Sequence, residues 1–152
     1  MLTIRRRTEA DLSTIVGWIP DAAALYLFTG PRMTWPLTTE ELGTMNADEN
    51  FTAWVALGEG ARLVGHFDLT VVDRTARLGR VVIDPSQRGR GMGRELVGLV
   101  IETARAVGAD ELRLNVIANN VPAVRAYEGV GFRTLPQGDR PDIRSMALAL
   151  SQ

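Results

Sequence analysis

The sequence contains no cysteine and no lysine, and its 152 residues include a single histidine. The absence of cysteine excludes disulfide bonds, thiolate metal sites and a cysteine nucleophile. The one histidine, His66, leaves few of the usual ligands for a zinc site, so we expect no bound metal. Because lysine is absent, the protein also offers no lysine side chain to be acylated.

Long apolar runs are missing as well. No stretch approaches the length that spans a bilayer, and the N-terminal arginines are not followed by the apolar segment of a secretory signal. We therefore expect a cytoplasmic protein with no membrane partner. The net charge of −1 gives no overall basic field to attract nucleic acid. The length suits one domain, which we assign to residues 1–152.

The sequence does contain a local concentration of arginine. All 17 basic residues are arginines, and six of them lie between positions 74 and 94. Residues 88–94, RGRGMGR, hold three arginines and three glycines, and we call this segment the glycine-arginine turn. Positive charge concentrated in this way fits a small polyanionic ligand better than a long one.

The apolar periodicity predicts an α/β domain in which strands and helices share one mixed sheet. We expect the order β-α-α-β-β-β-α-β-α-β-β, with residues 21–37 left unassigned. The predicted strands cover residues 3–8, 51–59, 62–72, 74–84, 111–117, 131–135 and 143–150, and the predicted helices cover 8–18, 38–47, 91–107 and 121–130. The last two strands should form a hairpin. The helix at 91–107 lies between two strands, which predicts a right-handed crossover between parallel neighbours.

The glycine-arginine turn lies where a strand passes into a helix. A helix start exposes unpaired N–H groups and the positive end of the helix dipole, and together these bind anions. Glycine lets the backbone approach a ligand and take positive φ values, while arginine adds forked, permanently charged donors that suit phosphate. These residues predict a pyrophosphate site, and a merely flexible, solvated turn is the alternative.

Two other kinds of glycine-rich loop fit less well. The turn lacks the lysine and the hydroxyl residue of the G-x-x-x-x-G-K-[ST] loop. It is not the G-x-G-x-x-G of a βαβ unit either, and no acidic residue ends the next strand to hold a ribose. A dinucleotide- or ATP-binding protein is therefore only a distant alternative.

Two segments together resemble the GCN5-related N-acetyltransferase (GNAT) superfamily. The first family motif is a strand ending in V-x-P, followed by [RQ]-x-x-G-x-[GA] at a helix start; here it is Ile83-Asp84-Pro85 and then Arg88-Gly89-Arg90-Gly91-Met92-Gly93. The second motif is an asparagine followed by alanine, tyrosine and Gly-Phe; here it is Asn120, Ala123, Tyr127 and Gly131-Phe132. The resemblance covers roughly residues 78–132, whereas residues 1–60 match only in outline.

The resemblance implies acetyl-CoA as the cofactor, bound between two central parallel strands that splay apart. Backbone groups of Val81, Val82 and Ile83 would pair with the pantetheine arm in the manner of an added strand. The pyrophosphate would be held by the glycine-arginine turn, that is, by Arg88, Gly89, Arg90, Gly91, Met92, Gly93 and Arg94.

The second motif implies the remaining roles. Asn120 would hydrogen-bond the cofactor arm beside Ala123, and Tyr127 would be the general acid that protonates the leaving thiolate. Each polar residue also has a structural interpretation. Asn120, two residues before a proline, is a good helix N-cap, and Tyr127 could be a core aromatic.

The general base is not defined by these motifs. An alkylamine is protonated at neutral pH, with a pKa of roughly 10.4 for a lysine-like amine, so its proton must be removed. The family branch that acetylates the N-terminal alanine of a ribosomal protein has Glu before Val in the strand preceding the second motif, but this sequence has Asn115-Val116. Asparagine cannot act as a base. The other candidates are His66, Asp68 or a water relay, although His66 also suits a solvent-facing strand position.

These residues and the resemblance together predict an acetyl-CoA-dependent N-acetyltransferase. An amine would attack the thioester directly, without an acyl-enzyme, which agrees with the absence of cysteine. The alternative is a non-catalytic acyl-CoA-binding module of the same fold, which keeps the cofactor site but has lost its base.

The acceptor is left open between a small-molecule amine and the N-terminus of a peptide. In the family, specificity comes largely from the first two helices, their connection and the C-terminal hairpin. Aromatic residues there could line an acceptor pocket, namely Tyr26, Phe28 and Trp35, and acidic residues could attract a cationic amine, namely Asp21, Glu40, Glu41 and Asp139. Homodimers are common in the family, but no surface patch in this sequence predicts one.

Overall fold

The computed structural model describes residues 1–136 and 140–150, which form one seven-stranded sheet and five α-helices. The strands are β1 (Thr3–Arg6), β2 (Phe51–Leu57), β3 (Leu63–Val72), β4 (Thr75–Ile83), β5 (Glu111–Ile117), β6 (Arg133–Thr134) and β7 (Ile143–Ala149). The helices are α1 (Leu12–Gly17), α2 (Ala22–Thr29), α3 (Thr39–Gly43), α4 (Met92–Ala106) and α5 (Val121–Gly129), with short 3₁₀ turns between several elements.

The order of the strands across the sheet is β1-β2-β3-β4-β5-β7-β6. Every neighbouring pair is antiparallel except β4 and β5, which are parallel and are connected through α4. The predicted mixed sheet with a central parallel pair is therefore confirmed. β6 and β7 pair as the predicted C-terminal hairpin, and residues 137–139 between them lie outside the described part of the chain.

The predicted order of elements is wrong at one place, because three helices rather than two lie between β1 and β2. The additional helix is α2. Asp21 caps it by accepting a hydrogen bond from the Ala24 N–H at 2.8 Å, and the helix ends at Gly30, whose φ is 66°. Its sequence, AAALYLFT, is apolar on almost every side and so lacks the one-sided periodicity that marks an amphipathic helix.

Helices cover both faces of the sheet, and each layer has its own core. On one face, α4 and α5 pack over the sheet, with Leu96, Val100 and Leu112 each 0% exposed. On the other face, α1, α2 and α3 pack around Ile15 and Leu42, which are 0% and 1% exposed. The middle strands of the sheet are consequently buried on both sides.

Helix α4 lies where its sequence pattern predicts it, and Gly108, with a φ of 87°, follows its end. It has 15 residues. Across residues 1–136 and 140–150, none of the helices combines the length and apolarity that crossing a membrane requires.

The two central strands separate halfway along their length. β4 pairs with β5 only from Thr75–Glu111 to Leu78–Leu114, although both strands continue. The separation coincides with a β-bulge: the register of β4 against β3 shifts opposite Phe67, and Arg80 has a φ of 46°. A bulge bends its strand, so β4 turns away from β5 and the predicted splay is confirmed.

Candidate active site

A long cleft opens where β4 and β5 separate. Its volume is ≈ 540 Å³, and it runs from the glycine-arginine turn along β4 to α5. Eleven of the 13 residues predicted for the cofactor site and the catalytic position line this long cleft: Val81, Val82, Ile83, Arg88, Gly89, Gly91, Met92, Gly93, Asn120, Ala123 and Tyr127. The other two, Arg90 and Arg94, belong to the same turn but do not line the cleft. The fold therefore brings the two sequence motifs together.

Unpaired N–H groups and open space meet at the glycine-arginine turn. Gly89 and Gly91 have φ values of 81° and 79°, in the left-handed region that glycine tolerates. The Glu95 N–H bonds the Gly91 carbonyl at 3.3 Å, and the N–H groups before it in α4 have no partner within the helix. A Cβ built at Gly89, Gly91 or Gly93 would meet no protein atom within 4 Å, so the glycines leave this space open to a ligand.

The arginine side chains of the turn place positive charge at and beside that space, with Arg88 lining the long cleft. Arg88, Arg90 and Arg94 are all exposed, and none of them forms a hydrogen bond or an ion pair with another residue of the described chain. Guanidinium groups without a carboxylate partner keep their donors available for phosphate oxygens. The turn therefore fits the pyrophosphate of a coenzyme A ester.

Past its last contact with β5, strand β4 presents backbone groups to the long cleft. The Asp84 N–H donates to the Val64 carbonyl of β3 at 2.8 Å. Hydrogen bonds alternate along an antiparallel ladder, so Val82 also directs its backbone towards β3. Val81 and Ile83 therefore direct theirs into the cleft, where β5 no longer pairs with them. Of the three residues predicted to bind a cofactor arm, two therefore have backbone groups that face the long cleft, and Val82 does not.

Asn120 and Tyr127 reach the long cleft from the start and the body of α5. Asn120 occupies the N-cap position of α5, but its side chain makes no capping hydrogen bond. The capping role that the sequence offered as an alternative therefore does not engage the side-chain amide. Tyr127 is 7% exposed and packs edge-on against Phe132, with ring centroids 5.4 Å apart. Burial raises the pKa of its phenol to about 12, which keeps the hydroxyl protonated and able to donate.

A buried polar network supports the bulge in β4. The Nδ1 atom of His66 lies 2.7 Å from the Arg80 carbonyl, which can only accept, so Nδ1 carries the proton. Nε2 then accepts from the Arg7 guanidinium at 3.0 Å. Asp68 forms a two-pronged ion pair with the Arg80 side chain. Gly79 makes room for it, because a Cβ there would lie 2.8 Å from an Asp68 oxygen.

The solvent-facing position suggested for His66 is wrong, because this network is buried. His66 is 0% exposed and Asp68 1% exposed, and neither side chain lines the long cleft. Burial lowers the pKa of His66 to about 3, and both ring nitrogens already have partners. The two residues that the sequence suggested as bases instead contact Arg80 at the bulge, His66 at its carbonyl and Asp68 at its guanidinium.

A second cavity of ≈ 270 Å³ continues on the other side of the strand separation. It shares with the long cleft a wall formed by Leu27, Phe28, Leu78, Gly79, Arg80, Asn115 and Val116. Its own lining includes four arginines, so we call it the arginine cavity: Arg32, Arg77, Arg80 and Arg140. No carboxylate is found among the described residues that line it. Asn115 accepts a hydrogen bond from the Ser145 hydroxyl at 2.7 Å.

The acidic residues expected to attract a cationic amine lie elsewhere. Asp21 caps α2, and the Glu41 carboxylate accepts from the Thr34 N–H at 3.1 Å and 3.3 Å. Neither these two nor Glu40 lines the long cleft or the arginine cavity. Asp139 lies outside the described residues.

Of the three aromatic residues predicted for an acceptor pocket, only Phe28 lies at the junction of the two cavities. Tyr26 donates to the Asp142 carboxylate on the surface, and Trp35 is 41% exposed and lines neither cavity. The sequence analysis did not predict that Arg32, Arg77 and Arg140 would line a cavity. Alternation along β4 could have placed Arg77 on the same face as Gly79, but nothing local marked Arg32 or Arg140.

Comparisons with known proteins agree with this geometry. The family model described as "Acetyltransferase (GNAT) family" matches residues 22–132. The chain is 33% identical over 94 residues to streptothricin acetyltransferase from Streptomyces lavendulae, covering 60% of this chain and 50% of that one. It spans half or less of the length of several curated relatives that it matches.

Solved structures share the fold along the whole chain. Spermidine N-acetyltransferase from Vibrio cholerae, in complex with CoA and spermine, superposes with a TM-score of 0.80 at 21% identity, covering 98% of this chain and 95% of that one. The ribosomal-protein-S18-alanine N-acetyltransferase from Escherichia coli superposes with a TM-score of 0.73 at 25% identity, covering 100% and 96%. With the family model matched over most of its length, the chain belongs to the acetyltransferase (GNAT) family.

Proposed function

We propose that this protein is an acetyl-CoA-dependent N-acetyltransferase that acetylates a primary amine by direct attack on the thioester. The observation that carries the proposal is the continuity of the site. One cleft joins a cationic, glycine-lined turn to the separated strands and to the Tyr127 hydroxyl, and a second cavity meets it at that point. When bound, acetyl-CoA supplies the activated acetyl group.

The geometry of the long cleft supports a binding role for each part of it. The glycine-arginine turn would hold the pyrophosphate through N–H groups and guanidinium donors. The free backbone groups of Val81 and Ile83 would bind the pantetheine arm along the open edge of β4, and Asn120 would bind it from the opposite wall. This arrangement would bring the thioester to the shared wall, between Gly79 and Asn115.

Tyr127 would act at the end of the reaction. As the amine nitrogen forms its bond to the acetyl carbon, the carbon–sulfur bond breaks and the sulfur takes up a proton. The Tyr127 hydroxyl is protonated, has no hydrogen-bond partner within the described chain and lines the long cleft, so it can donate that proton.

The ammonium proton would leave through water. In the described residues, no carboxylate or histidine lines either cavity. Nearby cations disfavour a protonated amine, so the arginines of the second cavity would themselves lower the pKa of a bound acceptor. A weaker base would therefore suffice to deprotonate the acceptor than a polyamine site would need.

The same lack of a base keeps a second function open, that of a non-catalytic acyl-CoA-binding module. Thiol release from acetyl-CoA across a panel of amines and peptides distinguishes the two. For the enzyme, we expect amine-dependent release that falls roughly 10²- to 10⁴-fold in Tyr127→Phe, with unchanged acetyl-CoA affinity. A folded Tyr127→Phe protein with wild-type turnover would remove Tyr127 from the mechanism. Thermal stabilisation by acetyl-CoA without release for any amine would favour the binding module.

A further inference from the structure

The arginine cavity is a strongly charged concave surface that the proposed cofactor site does not account for. Its four arginines come from three separate segments: the turn after α2 (Arg32), strand β4 (Arg77 and Arg80) and the residues before β7 (Arg140). The whole protein has a net charge of −1, so this charge is local. Clefts lined by one sign of charge concentrate ligands of the opposite sign.

The four arginines are not equally committed to the fold. Arg80 is buried and paired with Asp68. Arg140 contacts the Tyr26 hydroxyl at 3.3 Å and the Asp142 carboxylate at 3.5 Å. Arg32 and Arg77, in contrast, have neither a hydrogen bond nor an ion pair to any part of the chain that the structure describes. Their donors are available, and both side chains are exposed.

We propose that the acetyl acceptor is a small amine that also carries an anionic group, a carboxylate or an isosteric oxyanion, held by Arg32 and Arg77. The inference rests on the proposed function and names the substrate class of the same site. The anion would occupy the arginine cavity while the amine reaches the shared wall at Asn115. An α-amino acid or a close analogue has this arrangement of charges.

Two further features support a small anionic acceptor over a polyamine or a protein. The cavity of ≈ 270 Å³ lies just below the usual range for drug-sized ligands, roughly 300–1,000 Å³. A second ammonium group, as in a polyamine, would meet Arg32 and Arg77, which have no carboxylate partner in the described chain, and like charges repel. Guanidinium groups, on the other hand, bind carboxylates with paired, charge-assisted hydrogen bonds.

The test compares the 20 common amino acids, their α-amides and spermidine as acceptors, using wild type, Arg32→Gln and Arg77→Gln. Arg105→Gln serves as the matched control, because Arg105 is an exposed arginine of α4 that lines neither cavity. We expect amino acids to be preferred over their amides. Each cavity variant should lower kcat/KM for the best amino acid at least tenfold, mainly through KM. Activity towards the amide, acetyl-CoA affinity and the control variant should be unchanged.

The outcomes separate this inference from the proposed function. Transfer to spermidine or to amides that equals transfer to amino acids, or an Arg77→Gln variant with wild-type KM, would overturn the anionic acceptor and leave the enzyme in place. If no amine is acetylated, the proposed enzymatic function is wrong, and a sulfate titration then tests the anion site separately. Arginine side-chain NMR signals of the CoA-saturated protein are then followed during a sulfate titration. Saturable shifts of the Arg32 and Arg77 signals, absent for Arg105, support the site, and their absence overturns it.

Discussion

The two ends of the site differ in the groups that form them, mainly backbone at one end and side chains at the other. The proposed cofactor end would use consecutive residues of one turn and backbone groups of one strand edge, so glycines and the helix start should matter most there. The proposed acceptor end would use side chains from three segments that are distant in sequence. A site made of backbone needs a short, local sequence signature, whereas a site made of side chains depends on how the whole fold brings them together. The first end can therefore be shared across a family while the second varies.

Between the two ends lies the bulge at Arg80, which belongs to both. Its carbonyl and its guanidinium are held from beneath by His66 and Asp68, and it forms part of the wall that the two cavities share. Arg80 keeps a left-handed φ of 46°, which costs free energy for a residue other than glycine. We infer that the network stabilises this conformation and so fixes where the two ends meet.

The largest effect is expected from removing the charge beneath the bulge. Asp68→Asn leaves the buried Arg80 without its counter-ion, which should lower the free energy of unfolding by about 3–5 kcal/mol. Asp110→Asn breaks the exposed pair with Arg74 and should change it little. Urea denaturation of the three proteins measures both. Equal stabilities of Asp68→Asn and Asp110→Asn would show that the buried pair does not hold the bulge.

The second effect is a loss of stability in mild acid that His66 causes. Its pKa is about 3 in the folded protein, below its ordinary value of 6.5. Below about pH 6.5 this histidine is therefore protonated in the unfolded chain but still neutral in the folded protein. The free energy of unfolding consequently keeps the full contribution of His66 above about pH 6.5 and loses it as the pH drops towards 3. Between pH 7 and pH 5 the loss should be about 2 kcal/mol.

Replacing His66 isolates this contribution. His66→Gln keeps a donor for the Arg80 carbonyl but does not titrate, so its stability should be flatter over the same interval. The carboxylate of Asp11, whose pKa is lowered to about 2 chiefly by its hydrogen bond from Arg5, loses its contribution only below about pH 4 and does not interfere. Parallel pH profiles for the two proteins would contradict a buried, neutral histidine.

The sequence predicted the two parts of the molecule to different extents, for physical reasons. Helix α4, the strand before it and the glycine-arginine turn have strong local signals, and all three lie where they were expected. Helix α2 was missed because its apolar residues face every direction. His66 was expected to suit a solvent-facing strand position, but Phe28 of α2 packs against its ring, with ring centroids 6.0 Å apart. Arg32 and Arg140 carry no local signal, since only the tertiary fold places them beside Arg77.

The smallest effect tests the cofactor end without disturbing the fold. Gly91 is a poor position for this purpose, because its φ of 79° would strain any other residue regardless of a ligand. Gly93 has no such constraint, lies in the first turn of α4 and lines the long cleft. Gly93→Ala adds one methyl group where no protein atom lies within 4 Å. Alanine is also favoured over glycine in helices by roughly 1 kcal/mol.

We therefore expect Gly93→Ala to be at least as stable as wild type yet to bind acetyl-CoA about tenfold more weakly, a change of about 1.4 kcal/mol. Gly98→Ala is the matched control, since it makes the same change in the same helix, also with no protein atom within 4 Å, but away from the long cleft. It should gain the same stability and keep full affinity. Calorimetric titration with acetyl-CoA compares the variants. If Gly93→Ala binds as tightly as Gly98→Ala, the backbone of the glycine-arginine turn does not approach the cofactor closely, and its arginine side chains alone must hold the phosphates.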